Sequence, residues 1–371
     1  MPTLFDPFSL KGVNLRNRIV VAPMCQYSAV DGHTNQWHWV HYPALARGGA
    51  GLVIVEATAV SPEGRITQGC TGLWADSQID GMARIAADIT AEGAVPGIQL
   101  GHAGRKGSAN RPWEGDDHIP SGETGGWDTI SPSAIALGGN LPKVPRAMTI
   151  ADIERVKGDF VDAAQRALKA GFEWLELHFA HGYLGQSFFS VHANQRADQY
   201  GGDWRDRGRF LLETLAAVRK VWPEHLPLAA RFGVIEFDGR DDETLAEAIA
   251  LAKAFRSNGL DMLNVSIGFS TSESQIPWKP GFMAPYAERV RQETGLPVAS
   301  AWGMDDPKFA NSAVERGQLD LVMVGKAHLA NPHYPHFAAL ALGDARSASV
   351  LPDPYAHWLR RYRLMEFAPA R

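Results

Sequence analysis

The sequence predicts an α/β fold, a single eight-stranded (β/α)8 TIM barrel, on three observations. Eight short apolar runs punctuate the chain: 18–23 (RIVVAP), 51–60 (GLVIVEATAV), 95–100 (VPGIQL), 174–180 (WLELHFA), 227–233 (PLAARFG), 262–268 (MLNVSIG), 297–303 (PVASAWG) and 319–325 (LDLVMVG). Helix-period stretches separate most of them, which is the rhythm of parallel βα units. The first run leads into PMCQY, whereas an open doubly wound sheet normally carries a Gly-x-Gly-x-x-Gly turn at that point.

Ahead of the first strand, LFDPFSLKGVNLRN (4–17) reads as an N-terminal hairpin that closes the bottom of the barrel. The third strand is followed by a long insertion, 101–148, rich in Gly, Pro, Asn and Asp. A connection of that length is usually a lid or binding element, so it is expected to cap the catalytic face. The clearest helices are 149–171, 203–222, 241–259 and 306–317. Thr149 and the Asp305-Asp306-Pro307 run supply start signals, and Gly171, Gly259, Gly295 and Gly317 stand where C-caps belong. A C-terminal segment, 350–371, lies beyond the eighth βα unit, and residues 1–371 read as one domain.

The bulk properties exclude several classes of function. Of 371 residues, 45% are hydrophobic and 21% charged, an ordinary globular balance. A net charge of −5 with scattered basic residues gives no nucleic-acid footprint. No apolar run reaches transmembrane length, and MPTLFDPFSL does not read as a signal peptide. The two cysteines, Cys25 and Cys70, are not a disulfide framework, so a reducing cytoplasm is the simplest setting.

In such barrels the site lies at the C-terminal ends of the strands. Alternation along the runs sets Leu175 and Leu177 against Glu176 and His178, Ile98 and Leu100 against Gln99, and Ala230 and Phe232 against Arg231. With the apolar residues facing the helices, Gln99, His178 and Arg231 point into the barrel. A buried arginine needs an anion or polar acceptors, and this trio suits a planar heterocycle that becomes anionic on reduction. After strands seven and eight, Gly303 and Gly325 allow close backbone approach to a phosphate, and Lys326 supplies charge. A heterocycle at the mouth and a phosphate at one edge is the shape of FMN.

Several stretches carry a resemblance that spans nearly the whole chain: APMCQY (22–27), GAGLVIVEATAV (49–60), GIQLGHAGRK (97–106), ELHFAHGYLGQSF (176–188), the cluster Asn194, Arg196, Asp198, Tyr200, Gly201 and Gly202, and AWG (301–303). On these the sequence resembles the old yellow enzyme family, in its thermophilic-like subclass and on the side of the xenobiotic reductases. The resemblance implies an FMN-containing barrel that reduces α,β-unsaturated carbonyl and nitro compounds with NADPH or NADH. It implies that Ala22, Pro23, Met24 and Cys25 lie along the flavin, that Ala57 and Gln99 meet its pyrimidine edge, and that Arg231 stabilises charge on the reduced ring. Ala301, Trp302, Gly303, Gly325 and Lys326 complete the expected cofactor set. His178 and His181 are expected to hold the substrate oxygen, Tyr183 to donate a proton, and Tyr27 and Trp302 to shape the pocket. By position, Trp358 is expected to cover the flavin pocket of a neighbouring subunit in a homodimer or larger homo-oligomer. Lys326 departs from the arginine usual in the family, so a point charge replaces a planar fork.

Plainer readings compete at each of these residues. A lone cysteine is most often a small core hydrophobe. The histidines read equally as structural groups or as ligands of a metal-dependent barrel hydrolase. Lys326 reads as a solvated charge and Trp358 as surface packing. A barrel that binds a ligand without chemistry is a further alternative, opposed by the joint presence of Tyr27, His178, His181, Tyr183 and Arg231.

Overall fold

A hairpin of β1 (Phe8–Leu10) and β2 (Val13–Leu15) opens the chain, paired antiparallel through the Lys11–Gly12 turn. The computed structural model describes residues 1–360; residues 361–371, the end of the C-terminal segment, lie outside the described part. Leu4, Phe5, Val13 and Leu15 are buried in the core, and the Gly12 N–H donates to the His225 carbonyl just ahead of the fifth barrel strand. The hairpin therefore seals the N-terminal end of the barrel.

The barrel strands are β3 (Ile19–Val21), β4 (Leu52–Ala59), β5 (Val95–Gly101), β8 (Trp174–Phe179), β9 (Leu228–Ile235), β10 (Met262–Ile267), β11 (Val298–Ser300) and β12 (Leu321–Val324). Each pairs parallel with its neighbours, and β12 closes onto β3 with Val322 opposite Ile19. Between β5 and β8, the insertion contributes only the two-residue strands β6 (Ile130–Ser131) and β7 (Arg146–Ala147) and short turns.

The helices are α1 (Gln36–Arg47), α2 (Ile79–Ala91), α3 (Ile150–Lys169), α4 (Leu184–Phe189), α5 (Trp204–Val221), α6 (Asp241–Ser257), α7 (Ala284–Thr294), α8 (Pro307–Glu315), α9 (Lys326–Ala330), α10 (Tyr334–Leu342) and α11 (Asp353–Leu359). The expected start signals act as caps. The Thr149 hydroxyl accepts the Asp152 N–H while the Asp152 carboxylate accepts the Thr149 N–H, and Asp306 caps α8. Ile153, Val156, Phe160, Ala163, Ala164 and Ala167 then fall on the buried face of α3, at the spacing an amphipathic helix requires. Gly171, Gly259, Gly295 and Gly317 all turn left-handed as their helices end. No helix among the described residues is long and apolar enough to cross a membrane.

The strand boundaries differ from the sequence expectation in two places that matter for the site. The seventh strand stops at Ser300 rather than at Gly303, because Trp302 (φ 69°) and Gly303 (φ 72°) are left-handed and leave the sheet. The fifth strand runs on to Ile235, two residues past Gly233.

Candidate active site

The C-terminal ends of the strands surround a cavity of about 690 Å³. Gln99 from β5, His178 from β8 and Arg231 from β9 all line it, as alternation along their strands predicts. Their polar partners are also inward. The Glu176 carboxylate accepts Gln99 Nε2 at 2.7 Å and Asn264 Nδ2 at 3.0 Å, tying β5, β8 and β10 together inside the barrel. Burial pushes the Glu176 carboxyl up, while the nearby Arg231 guanidinium pulls it down.

Arg231 is the informative residue. It is buried, and its Nε has no hydrogen-bond partner among the described residues. A buried donor left unmade costs about 1–3 kcal/mol, more when charged. Facing a cavity, it fits a bound acceptor such as the carbonyl and ring-nitrogen edge of a flavin.

Another stretch of the cavity wall comes from the turns after the last two strands. Ala301, Trp302, Gly303, Met304 and Asp305 follow β11, and Gly325, Lys326 and Ala327 follow β12. A Cβ on Gly303 would stand 2.7 Å from Pro280 Cα, so both the left-handed turn and the close packing demand glycine there. Lys326 is exposed. Two glycine-bearing turns with a lysine are the elements expected of a phosphate cradle. Ala22, Pro23, Cys25 and Ala57 also line the wall.

A cluster of rings stands over the cavity. The His178 ring centroid lies 5.0 Å from His181 and 4.9 Å from Tyr183, both edge-on. The Ala180 N–H donates to His178 Nδ1 at 3.3 Å, which leaves the ring proton on Nε2. His181 is held left-handed (φ 62°), and its Nε2 lies 2.8 Å from Ser266 Oγ, which also accepts the Trp302 indole N–H at 3.2 Å. Burial and the positive charge of Arg231 hold both imidazoles well below their ordinary range, so they are neutral at pH 7. Burial pushes the Tyr183 phenol well up, so it keeps its proton. The site thus presents neutral N–H donors beside a protonated phenol.

Three expected residues do not line the cavity of their own chain. Met24 lies beside the cavity rather than in its wall, its Sδ 3.4 Å from where a Gly325 Cβ would stand. Tyr27 turns left-handed (φ 50°), packs edge-on against Trp113 of the insertion at 5.9 Å, and is likewise outside the wall. Its phenol stays beside Cys25 and Tyr183, both of which line the cavity. Trp358 sits on α11, 72% exposed, and does not line the cavity of its own chain. The insertion grips the site from outside it: Lys106 Nζ donates to the His181 carbonyl and Arg111 Nε to the Tyr27 carbonyl.

Sequence reasoning missed Trp278, Met304, Asp305 and Ser266. Trp278 lines the mouth and lies 5.6 Å from Trp302, on a Gly-, Pro- and Ser-rich loop after β10 with no periodic signal. Ser266 was legible, since it alternates with Asn264 on the inward face of MLNVSIG. Among the described residues, no group of three or more His, Cys, Asp or Glu side chains is arranged to hold a metal ion.

Comparison with known proteins agrees with this geometry. Residues 3–343 match the NADH:flavin oxidoreductase / NADH oxidase family. An NADPH dehydrogenase of Geobacillus thermodenitrificans (strain NG80-2) is 39% identical over 349 residues, covering 94% of this chain and 96% of that one. Among solved structures, morphinone reductase superposes with a TM-score of 0.78 at 28% identity, covering 92% of this chain and 90% of its own. A 2-naphthoyl-CoA reductase complex superposes at 0.82 with 25% identity, and there the chain spans 53% of the longer protein. The chain belongs to the NADH:flavin oxidoreductase / NADH oxidase family, the old yellow enzymes: it is an oxidoreductase built on a (β/α)8 barrel that uses FMN and a nicotinamide reductant.

Proposed function

We propose that the protein is an NAD(P)H-dependent ene-reductase, acting on activated C=C bonds of α,β-unsaturated carbonyl and nitro compounds as xenobiotic reductases do. FMN, when bound, would supply the two-electron store that couples oxidation of the nicotinamide to reduction of the alkene. The observation that carries the reading is the trio His178, His181 and Tyr183 over one wall of a cavity that also holds Arg231, whose buried Nε has no hydrogen-bond partner among the described residues.

Arg231, Gln99, Ala57, Cys25, Pro23, Ala22 and the neighbouring Met24 would hold the flavin ring. Gly303, Gly325 and Lys326, with Ala301 and Trp302, would hold its phosphate side. The neutral imidazoles of His178 and His181 bond the substrate's carbonyl or nitro oxygen, and these bonds strengthen as negative charge builds there. Tyr183 gives its proton to the α-carbon as general acid. Tyr27 and Trp302 bound the substrate space, with the 101–148 insertion bracing it. Reductant and alkene use the same pocket in turn. The whole chain acts as one flavin-binding unit in the cytoplasm.

The protein is also proposed to form a homodimer or larger homo-oligomer, with Trp358 reaching a neighbour's flavin pocket. An exposed tryptophan beside a half-exposed Tyr355 supports that role. In sedimentation and steady-state assays, Trp358→Ala is expected to alter turnover even where the oligomer survives; a native monomer with full enone turnover would remove this part of the proposal.

The test of the main reading is product analysis with 2-cyclohexenone and NADPH. One cyclohexanone per NADPH consumed is expected. NADPH consumed only with oxygen, with the enone untouched, would refute it.

A further inference from the structure

The second barrel strand carries one residue too many. Val55 stands opposite Ile98, yet the next pair is Ala57 opposite Gln99, so Glu56 is the extra residue of a β-bulge. Unbroken pairing would set Glu56 opposite the inward Gln99, in the cavity wall. The bulge puts Ala57 there and sends the carboxylate the other way, toward α1, where Glu56 is fully buried.

Its partners link α1 to the back of the cavity wall. Glu56 Oε1 accepts the Tyr42 hydroxyl at 2.9 Å, and the Tyr42 oxygen in turn accepts the Glu56 N–H at 3.1 Å. Glu56 Oε2 accepts the Gln26 N–H at 2.8 Å. Gln26 lies between Cys25, which lines the cavity, and Tyr27, which is left-handed. His38 Nε2 lies 3.6 Å from Oε1, and because His38 Nδ1 accepts the Asn35 N–H, the ring proton is on Nε2, next to Glu56. His38 is held down to about 4 by burial and is therefore neutral, so the carboxylate is buried with dipoles and no cation. Burial pushes Glu56 up to about 7.

The other groups facing this carboxylate keep their protons, and stay neutral, near neutral pH. The Tyr42 phenol on α1, the Cys25 thiol beside Gln26 and the Cys70 thiol behind β4 are all pushed up by burial. Of the groups around the cavity, Lys106 also titrates near neutrality, held down to about 8 by burial, but its ammonium stands against His181 and the Tyr183 ring and not against Glu56.

We propose that Glu56 is a positioning residue for the bound flavin: its carboxylate clamps the Gln26 N–H, holds Cys25 in the cofactor wall, and passes its own charge state on to the flavin's environment. Ionised, it accepts from both Gln26 and Tyr42. Protonated, it meets two donors with one fewer acceptor site, and the clamp on the Cys25–Tyr27 turn loosens. The inference rests on the flavin site alone and not on the alkene reading.

The test is the visible absorbance of the FMN-loaded protein titrated from about pH 5.5 to 8.5 (a window centred on Glu56), with FMN affinity measured alongside. The wild type is expected to show a one-proton spectral transition near pH 7. Glu56→Gln is expected to lose that transition and to bind FMN roughly tenfold more weakly, because an amide can satisfy only one of the two donors. Tyr42→Phe removes a donor that stabilises the charge and is expected to move the midpoint upward. If Glu56→Gln fails to fold, the Tyr42→Phe shift decides. A wild type with no transition in this window, a Glu56→Gln protein that keeps it, or a Tyr42→Phe midpoint that stays in place would each overturn the proposal. None of these outcomes bears on whether the enzyme reduces alkenes.

Discussion

The two ends of the barrel are built on different principles. At the N-terminal end, Leu4, Phe5, Val13 and Leu15 are at most 3% exposed, and Lys11 reaches Asp261 from the hairpin turn. At the C-terminal end, His181, Phe237, Phe269 and Trp302 each adopt left-handed backbone two residues beyond successive strands. Such non-glycine conformations cost on the order of 1–3 kcal/mol each. Phe269 packs at 5.7 Å against both His181 and Trp302, and both of those line the cavity. One end thus spends its residues on closure, with a single left-handed non-glycine at Lys11, while the other tolerates these four, two of which, His181 and Trp302, present rings to the cavity.

That contrast is broken first at Tyr183. Tyr183→Phe is expected to slow alkene reduction by about 10²–10⁴-fold while leaving flavin reduction by NADPH nearly intact, measured by stopped flow on each half-reaction. Equal loss in both would place the damage in the flavin site. The opposite end should behave in the opposite way. Leu15→Ala is expected to cost about 2–5 kcal/mol of stability in denaturant unfolding, with the turnover number of the remaining folded enzyme unchanged. A large fall in turnover number there would show that the two ends are coupled.

A smaller effect sharpens the oxygen-clamp role. His178→Ala is expected to weaken binding of a phenolate, a mimic of a charged substrate oxygen, by about tenfold to a hundredfold, read from flavin absorbance. Unchanged affinity in both His178→Ala and His181→Ala would remove these histidines from the clamp.

The gentlest test is pH. His38, His41, His102 and His328 are held down to about 4 by burial, and His178 and His181 lie well below their ordinary range. A folded pKa below the unfolded value gives stability that is present above about 6.5 and is lost as pH falls toward 4. The carboxyls of Glu56, Asp159, Glu176, Glu236, Asp241 and Glu247 are raised and work the other way, but with His118 and His333 also lowered, eight imidazoles outnumber six carboxyls among the described residues. The thermal midpoint is therefore expected to fall between pH 6.5 and 4; a midpoint that rises through that range would contradict this balance.

What was legible in the sequence follows from these physics. Period-two alternation placed Gln99, His178 and Arg231 inward, because a strand gives each side chain one of two faces and the helices claim one of them. Thr149 and Asp306 were readable as caps because capping is local. Glu56 was hidden, since a bulge is set by pairing with β5 and leaves no mark on its own strand. The departure of Trp302 and Gly303 from the seventh strand was hidden behind an apolar run. Helix α1 was hidden by Pro43 in its interior and by aromatic residues on several faces. Trp278 stands on a loop whose path depends on Gly281 and Gly303 packing around Phe309 and Pro280, contacts that no local pattern records.

One cavity is proposed to serve both reductant and alkene through bound FMN. Anaerobic titration of the purified protein with NADPH, followed by 2-cyclohexenone, tests it most directly. The flavin absorbance is expected to bleach with one equivalent of NADPH and to return on addition of the enone. Bleaching that the enone fails to reverse would contradict it.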